Sequence, residues 1–209
     1  MGLMDLFRPK WKHSNWMVRK EAVEKEIADQ SILSLVARND PDEKIRIAAV
    51  EKLADQAVLA EVARSAEDQD VRSLATMKLI DQATLCEIAS HDAVGLVRLH
   101  AVRQLQDQEL LFRIADSDLD EFVREAATEK LSNQDALARV ALDNSSADSR
   151  KAATKKINDQ EILVRIAKND PVESNRAAAV ERITDPKILG EVARRDRKST
   201  RLNSSHVSQ

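Results

Sequence analysis

The chain has 209 residues with only 3 glycines, one cysteine, two tryptophans, three phenylalanines and no tyrosine, and its formal net charge is −3. The scattered glycines exclude a phosphate-binding loop, and one cysteine excludes an intrachain disulfide or a cysteine-based zinc cluster. The scarcity of aromatic rings and of basic excess disfavours a nucleic-acid-binding protein. The lone thiol and the lack of a long apolar run favour a cytoplasmic protein with no membrane span.

Residues 1–28 are the first predicted element, an N-terminal segment and degenerate half repeat that caps the rest of the chain. Within it, Val18 and Arg19 match Ile45 and Arg46 of the first complete repeat, with one extra residue before Asp29.

Residues 29–195 repeat with a period of 26 residues. An Asp-Gln dipeptide opens most repeats, and Asn133-Gln134 and Asp185-Pro186 take its place in two of them. Repeats therefore start at residues 29, 55, 81, 107, 133, 159 and 185. Such exact internal recurrence is typical of a solenoid, in which each copy has the same structural role.

Each repeat predicts two short helices. The opening Asp is a suitable N-cap because its carboxylate accepts hydrogen bonds from the first turn, and Pro186 stands where a helix tolerates proline. Apolar residues such as Leu33 and Val36 then follow at helical spacing. A second capping pattern, Asp40-Pro41-Asp42-Glu43, opens the second helix. Because such a pair cannot bury its apolar face alone, the copies are expected to stack.

The pattern Leu-x-x-Ile/Val-Ala-x-x-Asp followed by Val/Ile-Arg-x-x-Ala resembles HEAT-like repeats and the leucine-rich repeat variant solenoids. The chain also resembles small bacterial HEAT-repeat proteins of unassigned function. The resemblance implies an all-α fold, a right-handed α-solenoid of about six two-helix repeats. It does not imply a particular function, since such folds host many.

The resemblance also implies a polar ladder made from an Asp in the turn between the two helices and an Arg six residues later. In two repeats the turn Asp is absent, because Ala66 and Asn144 stand at its position. The expected ladder residues are Asp40, Arg46, Arg72, Asp92, Arg98, Asp118, Arg124, Arg150, Asp170 and Arg176.

Residues 196–209 break the repeat and match the translation of a widely used sequencing-library adapter over eleven codons. We interpret this tail as adapter read-through rather than native sequence. The preceding residues are then expected to be a fragment of a longer protein whose C-terminal cap is missing.

No catalytic arrangement is apparent, and the prediction is a protein that is not an enzyme and has no cofactor. Cys86, His91, Asp92 and His100 share the third repeat and suggest a metal site. The equivalent positions in the other repeats hold small or polar residues. The favoured interpretation is therefore that these Cys and His residues are ordinary substitutions in the core and the turns. We therefore predict no metal ligands.

Apolar residues interrupt the otherwise polar outward face of the second helices in the middle of the array. In HEAT-like solenoids the second helices usually line the concave surface, and an apolar patch with a charged rim is typical of a partner site. The hypothesis is a scaffold that binds a protein or peptide there, as a monomer or as part of a longer chain. The candidate residues are Met77, Val94, Leu96, Leu99, Arg103, Leu119 and Phe122.

Three alternatives to this hypothesis remain. The first is that the apolar residues are scattered surface residues or contact a missing part of the chain. The second is that a recurrent basic column binds nucleic acid, and the third is that the chain is an accessory or regulatory subunit of an enzyme. The basic column consists of Lys52, Lys78, Lys130, Lys156 and Arg182, and the acidic residues beside it make nucleic acid the less expected partner.

Overall fold

A computed structural model describes residues 8–192 and residue 194, so the predicted adapter tail lies outside the described residues. This described part is helical and contains no strand. It begins with a 3₁₀ turn at Lys10–Lys12, helix α1 at Trp16–Glu21 and a π-helical turn at Ala22–Glu26. The helices that follow are α2 (Gln30–Asn39), α3 (Glu43–Lys52), α4 (Gln56–Ser65), α5 (Gln69–Lys78), α6 (Gln82–His91), α7 (Gly95–Gln104), α8 (Gln108–Ser117), α9 (Glu121–Lys130), α10 (Gln134–Asp143), α11 (Ala147–Thr154), α12 (Gln160–Asn169) and α13 (Glu173–Val180), and helical backbone also covers 186–192.

The contacts divide the chain into two units, the first ending at Gln106 and the second beginning at Asp107. In each unit, consecutive helices pack as pairs, first helices contact the first helices of the next pair, and second helices contact second helices. The contacts of α3 with α5 and of α2 with α4 are equally extensive, whereas in the later pairs of each unit the second helices contact one another more extensively than the first helices do. The predicted all-α solenoid architecture is confirmed.

The first helices begin where the caps predict. Asp29 Oδ1 accepts the backbone N–H groups of Ser31 at 2.8 Å and Ile32 at 3.2 Å, and α2 starts one residue after this cap. The same capping geometry opens α4, α8, α10 and α12. Each cap contributes about 1 kcal/mol by satisfying orphan donors of the first turn.

Two repeated columns form the core. One leucine in each first helix is inaccessible to solvent, and burying such a side chain contributes about 1.5–3 kcal/mol. One alanine in each second helix is equally buried and, being small, lets neighbouring helices approach closely. These residues are Leu33, Leu59, Leu85, Leu111, Leu137 and Leu163, and Ala49, Ala75, Ala101, Ala127, Ala153 and Ala179.

The extra residue of the N-terminal half repeat forms the π-helical turn, in which the Ile27 N–H donates to the Ala22 carbonyl at 2.9 Å. A π-helical turn accommodates one additional residue in a helix. Ala22 and Val23 remain buried, as their counterparts Ala49 and Val50 are. The half repeat therefore packs as a second helix, and the described residues before it, from residue 8 on, contain the 3₁₀ turn Lys10–Lys12.

Candidate functional site

The arginine column links consecutive repeats. Arg46 Nη1 donates to the carbonyl of Asp40 in its own turn at 2.8 Å, while its Nε donates to the carboxylate of Asp68 in the next repeat at 3.1 Å. The sequence pattern grouped Arg46 with Asp40 as one turn, but the carboxylate it reaches lies one repeat further on. The same arrangement joins Arg19 to Asp40, Arg72 to Asp92 and Arg150 to Asp170, each with an Nε to Oδ2 distance of 2.8 Å.

The two breaks in the acidic column have different consequences. At Ala66, Asp68 supplies the carboxylate from two residues further on, and its hydrogen bond with Arg46 lowers its pKa. At Asn144, the amide donates to the Ala115 carbonyl at 2.8 Å instead. The buried Nε of Arg124 has no hydrogen-bond partner in the described structure.

The recurrent basic column caps the ends of second helices. Lys52 Nζ donates to the carbonyls of Val23 at 2.6 Å and Glu24 at 3.1 Å, and Lys78 binds the corresponding carbonyls one repeat later. Cations are favoured at these C-terminal carbonyls. Burial lowers the pKa of Lys78 despite its acidic neighbour. These hydrogen bonds link the end of each second helix to the following repeat.

The histidines of the third repeat make separate contacts. His100 Nδ1 lies 2.6 Å from Ser73 Oγ, and burial, with a smaller effect of Arg103, lowers the pKa of His100. Ser73 stands four residues before Met77 and so shares its predicted outward face, but Ser73 is buried because α5 and α7 pack together there. His91 Nδ1 lies 3.1 Å from a carbonyl of its own helix. The described residues hold no group of three potential metal ligands.

In the first unit, five of the seven candidate partner-binding residues lie on or beside α5 and α7, which are in contact. Met77 is 53% exposed and Leu96 48% exposed. Val94 and Leu99 are half-buried and Arg103 is exposed. This surface has an apolar centre and a cationic edge. Ile80 is also exposed, but the sequence analysis did not identify it. The available signal was a large apolar residue at a turn position that holds Ala54 in the preceding repeat and Gln106 in the following one.

In the second unit, Leu119 in the turn before α9 is 95% exposed and Phe122 in the first turn of α9 is 63% exposed. A cavity of about 310 Å³ lies on the second helices of this unit. Its lining is mostly charged and consists of Glu125, Glu129, Asp148, Lys151, Ala152, Lys155 and Lys156.

The architecture defines a tandem helical-repeat protein. No helix in the described residues is both long enough and apolar enough to cross a bilayer. The chain matches no protein-family model and no curated protein sequence.

Proposed function

We propose that this chain is a non-enzymatic interaction scaffold of the HEAT-like class, which binds a protein or peptide on the face formed by its second helices. The columnar Leu, Ala and Arg positions support the HEAT-like assignment. We propose a bacterial cytoplasmic protein that acts as a monomer or within a longer chain.

The observation that carries the proposal is the exposure of large apolar side chains on the second helices. Leu96 and Met77 lie on contacting helices and leave about half of their surface in water. Because apolar area gains free energy on leaving water, such a surface favours burial against a partner. Arg103, an exposed residue at its edge, suits the polar rim that partner sites have.

The packing within each unit supports the choice of face. In the later pairs of each unit, second helices contact one another more extensively than first helices, as expected where a stack bends towards its second-helix side. A face curved in this way surrounds a partner on more than one side. Leu119 and Phe122 give the second unit an apolar surface of its own.

The test is affinity capture of partners with the intact chain, Leu96→Asp and Phe122→Asp, each compared by circular dichroism for an unchanged fold. We expect each exposed charge to reduce recovery of the same partners at least tenfold. Leu35→Asp is the matched control, since Leu35 is a similarly exposed leucine on a first helix. Undiminished recovery with both second-helix variants would refute the proposal.

The alternatives give different outcomes in the same experiments. If the partner is an enzyme, the chain is an accessory subunit, and the recovered protein identifies it. Nucleic-acid binding requires affinity that falls steeply with salt. We expect no binding of duplex DNA even at low salt, because the recurrent lysines already bind carbonyl groups.

A further inference from the structure

One column of the first helices carries opposite charges in the two units. In α4 and α6 of the first unit it holds Glu61 and Glu87. Each glutamate forms an ion pair with an arginine in the last turn of the preceding first helix, at 2.8 Å from Arg38 and 2.7 Å from Arg64. The column therefore faces the neighbouring first helix, and both charges are compensated there.

In the second unit the same column holds arginines, whose surroundings differ. Arg113, Arg139 and Arg165 are exposed, and none of them forms an ion pair with a described residue. The guanidinium of Arg139 lies over the Phe112 ring, 4.4 Å from its centre. Leu142 stands before Arg165 at the position that the pairing arginines occupy in the first unit. Arg165 therefore faces an apolar residue.

A cavity of about 250 Å³ lies between α10 and α12, and we call it the α10–α12 cavity. The apolar side chains of Leu142 and Ile166 line it, together with Arg165. Two buried charged residues also line it, Arg150 and Asp170, and these are paired with each other at 2.8 Å. The exposed guanidinium of Arg165 is therefore the charge in this lining that remains available to a ligand.

The size and chemistry of the cavity indicate what it accepts. Its volume lies below the roughly 300–1,000 Å³ of typical small-molecule sites. It suits one apolar side chain between Leu142 and Ile166, beside an anionic group on Arg165. A guanidinium binds a carboxylate through two parallel hydrogen bonds, and the stacking of Arg139 on Phe112 orients a second guanidinium while its N–H groups stay available.

Acidic residues of the same helices determine how a ligand would lie. Asp135 and Glu161 stand four residues before Arg139 and Arg165, so they share the face one turn away. They repel carboxylates along the helices, which favours a ligand that crosses α10 and α12 at the level of the arginines. Packed helices lie about 8–10 Å apart, and carboxylates two or three residues apart in an extended chain span about 7–10 Å.

We propose that the α10–α12 cavity and Arg139 form a docking site for a short acidic segment of a partner protein. The segment inserts one apolar side chain between Leu142 and Ile166 and places its flanking carboxylates on Arg139 and Arg165. Complementary charge selects the segment and fixes its register. The site lies on first helices, separate from the second-helix face of the proposed function.

The probe is the heptapeptide Asp-Glu-Leu-Glu-Leu-Glu-Asp, labelled with fluorescein at its N-terminus and amidated. Fluorescence anisotropy follows its binding to the full-length protein at low salt. Two comparison peptides separate the contributions of burial and charge, one with serines in place of the leucines and one with glutamines in place of the glutamates. We expect saturable binding of the probe and about tenfold weaker binding of either comparison peptide, because each loses one contribution.

Two variants of the protein test the site itself. Arg165→Glu should weaken binding of the probe by about tenfold or more, because it replaces a charge-assisted hydrogen bond by repulsion. Leu142→Asp should have a similar effect, because it removes the apolar wall and gives Arg165 a carboxylate within the chain. Both variants should fold, since Glu61 and Asp116 occupy the same two columns in other repeats.

Two control variants should bind the probe as the natural protein does. Lys44→Glu makes a comparable charge reversal on an exposed residue of α3. Leu96→Asp alters the second-helix face, so unchanged affinity there keeps this test independent of the proposed function. Circular dichroism of all four variants checks that each is folded.

The absence of saturable binding to the folded protein would overturn the proposal, as would equal binding of the serine peptide or of Arg165→Glu. An oligothymidylate of similar charge tests nucleic acid as the occupant. Tighter binding of this oligonucleotide that Arg165→Glu abolishes would assign the site to nucleic acid and overturn the proposal. Self-association in sedimentation velocity that Arg165→Glu abolishes would assign it to a second copy of the chain and would also overturn it.

Discussion

Replacing Asn144 by aspartate should stabilise the second unit, because it supplies the carboxylate that Arg124 lacks. Arg124 Nη1 donates to the Asp118 carbonyl, but its buried Nε has no acceptor among the described residues. A hydrogen bond between charged groups contributes about 1.5–3 kcal/mol, and the lost bond from Asn144 to the Ala115 carbonyl costs about 1 kcal/mol. The free energy of unfolding should therefore rise by roughly 0.5–2 kcal/mol.

The reverse substitution, Asp170→Asn, should have the opposite and larger effect. The side chains of Arg150 and Asp170 are only 10% and 4% exposed, and two hydrogen bonds of 2.8 and 3.3 Å join them. Removing one charge leaves the other buried without compensation, which costs about 3–5 kcal/mol. The asparagine oxygen still accepts the Val172 N–H, so the turn itself should persist.

Urea unfolding followed by circular dichroism measures both changes, and amide exchange over α9–α13 locates them. Acid provides a second readout. Burial alone would raise the pKa of Asp170, but hydrogen bonds from Arg150 and the Val172 N–H, with the charge of Arg150, hold it below its ordinary value of 3.8. Stability from the pair is thus complete above that value and lost as the pH falls through the lower folded pKa. An Asn144→Asp protein no more stable than the natural one, or an Asp170→Asn protein destabilised by less than about 0.5 kcal/mol, would refute this reasoning.

Three further outcomes follow from the repeat contacts. Lys78→Met should lower the free energy of unfolding by about 1–2 kcal/mol, because it removes the cation at the preceding helix end, and urea midpoints measure this. Gln56→Ala should cost about 1–2 kcal/mol by the same measurement, since its amide accepts the Ile80 N–H at 3.0 Å and donates to the Lys78 carbonyl at 3.2 Å. Burial and the charge of Arg103 lower the pKa of His100 below 6.5, so the unfolded chain binds the proton first. Stability should fall as the pH drops below 6.5 and level off below the folded pKa, and His100→Gln should remove this dependence in thermal unfolding.

The local elements were predictable because each depends on a few neighbouring residues. The Asp or Asn cap places a helix start one residue later, as at Asp29 and Asn133, and the buried leucine follows from helical spacing. The apolar surface on the second helices was predictable only as residue types on a face. Leu96 is exposed as expected, but neighbouring Ser73 is buried, because the sequence does not specify how closely α5 and α7 approach.

The pairing of the ladder was not predictable, for a reason that belongs to the period itself. In a 26-residue repeat, each ladder arginine stands six residues after the turn position of its own repeat and twenty residues before that of the next repeat, so the two spacings always occur together. Arg150 uses both, binding the Asn144 carbonyl at 3.0 Å and the Asp170 carboxylate at 2.8 Å. Backbone carbonyls are present whatever the residue, so asparagine or alanine preserves the first contact. Only the contact with the next repeat needs an acid, which is why Ala66 and Asn144 affect the arginine of the repeat before them.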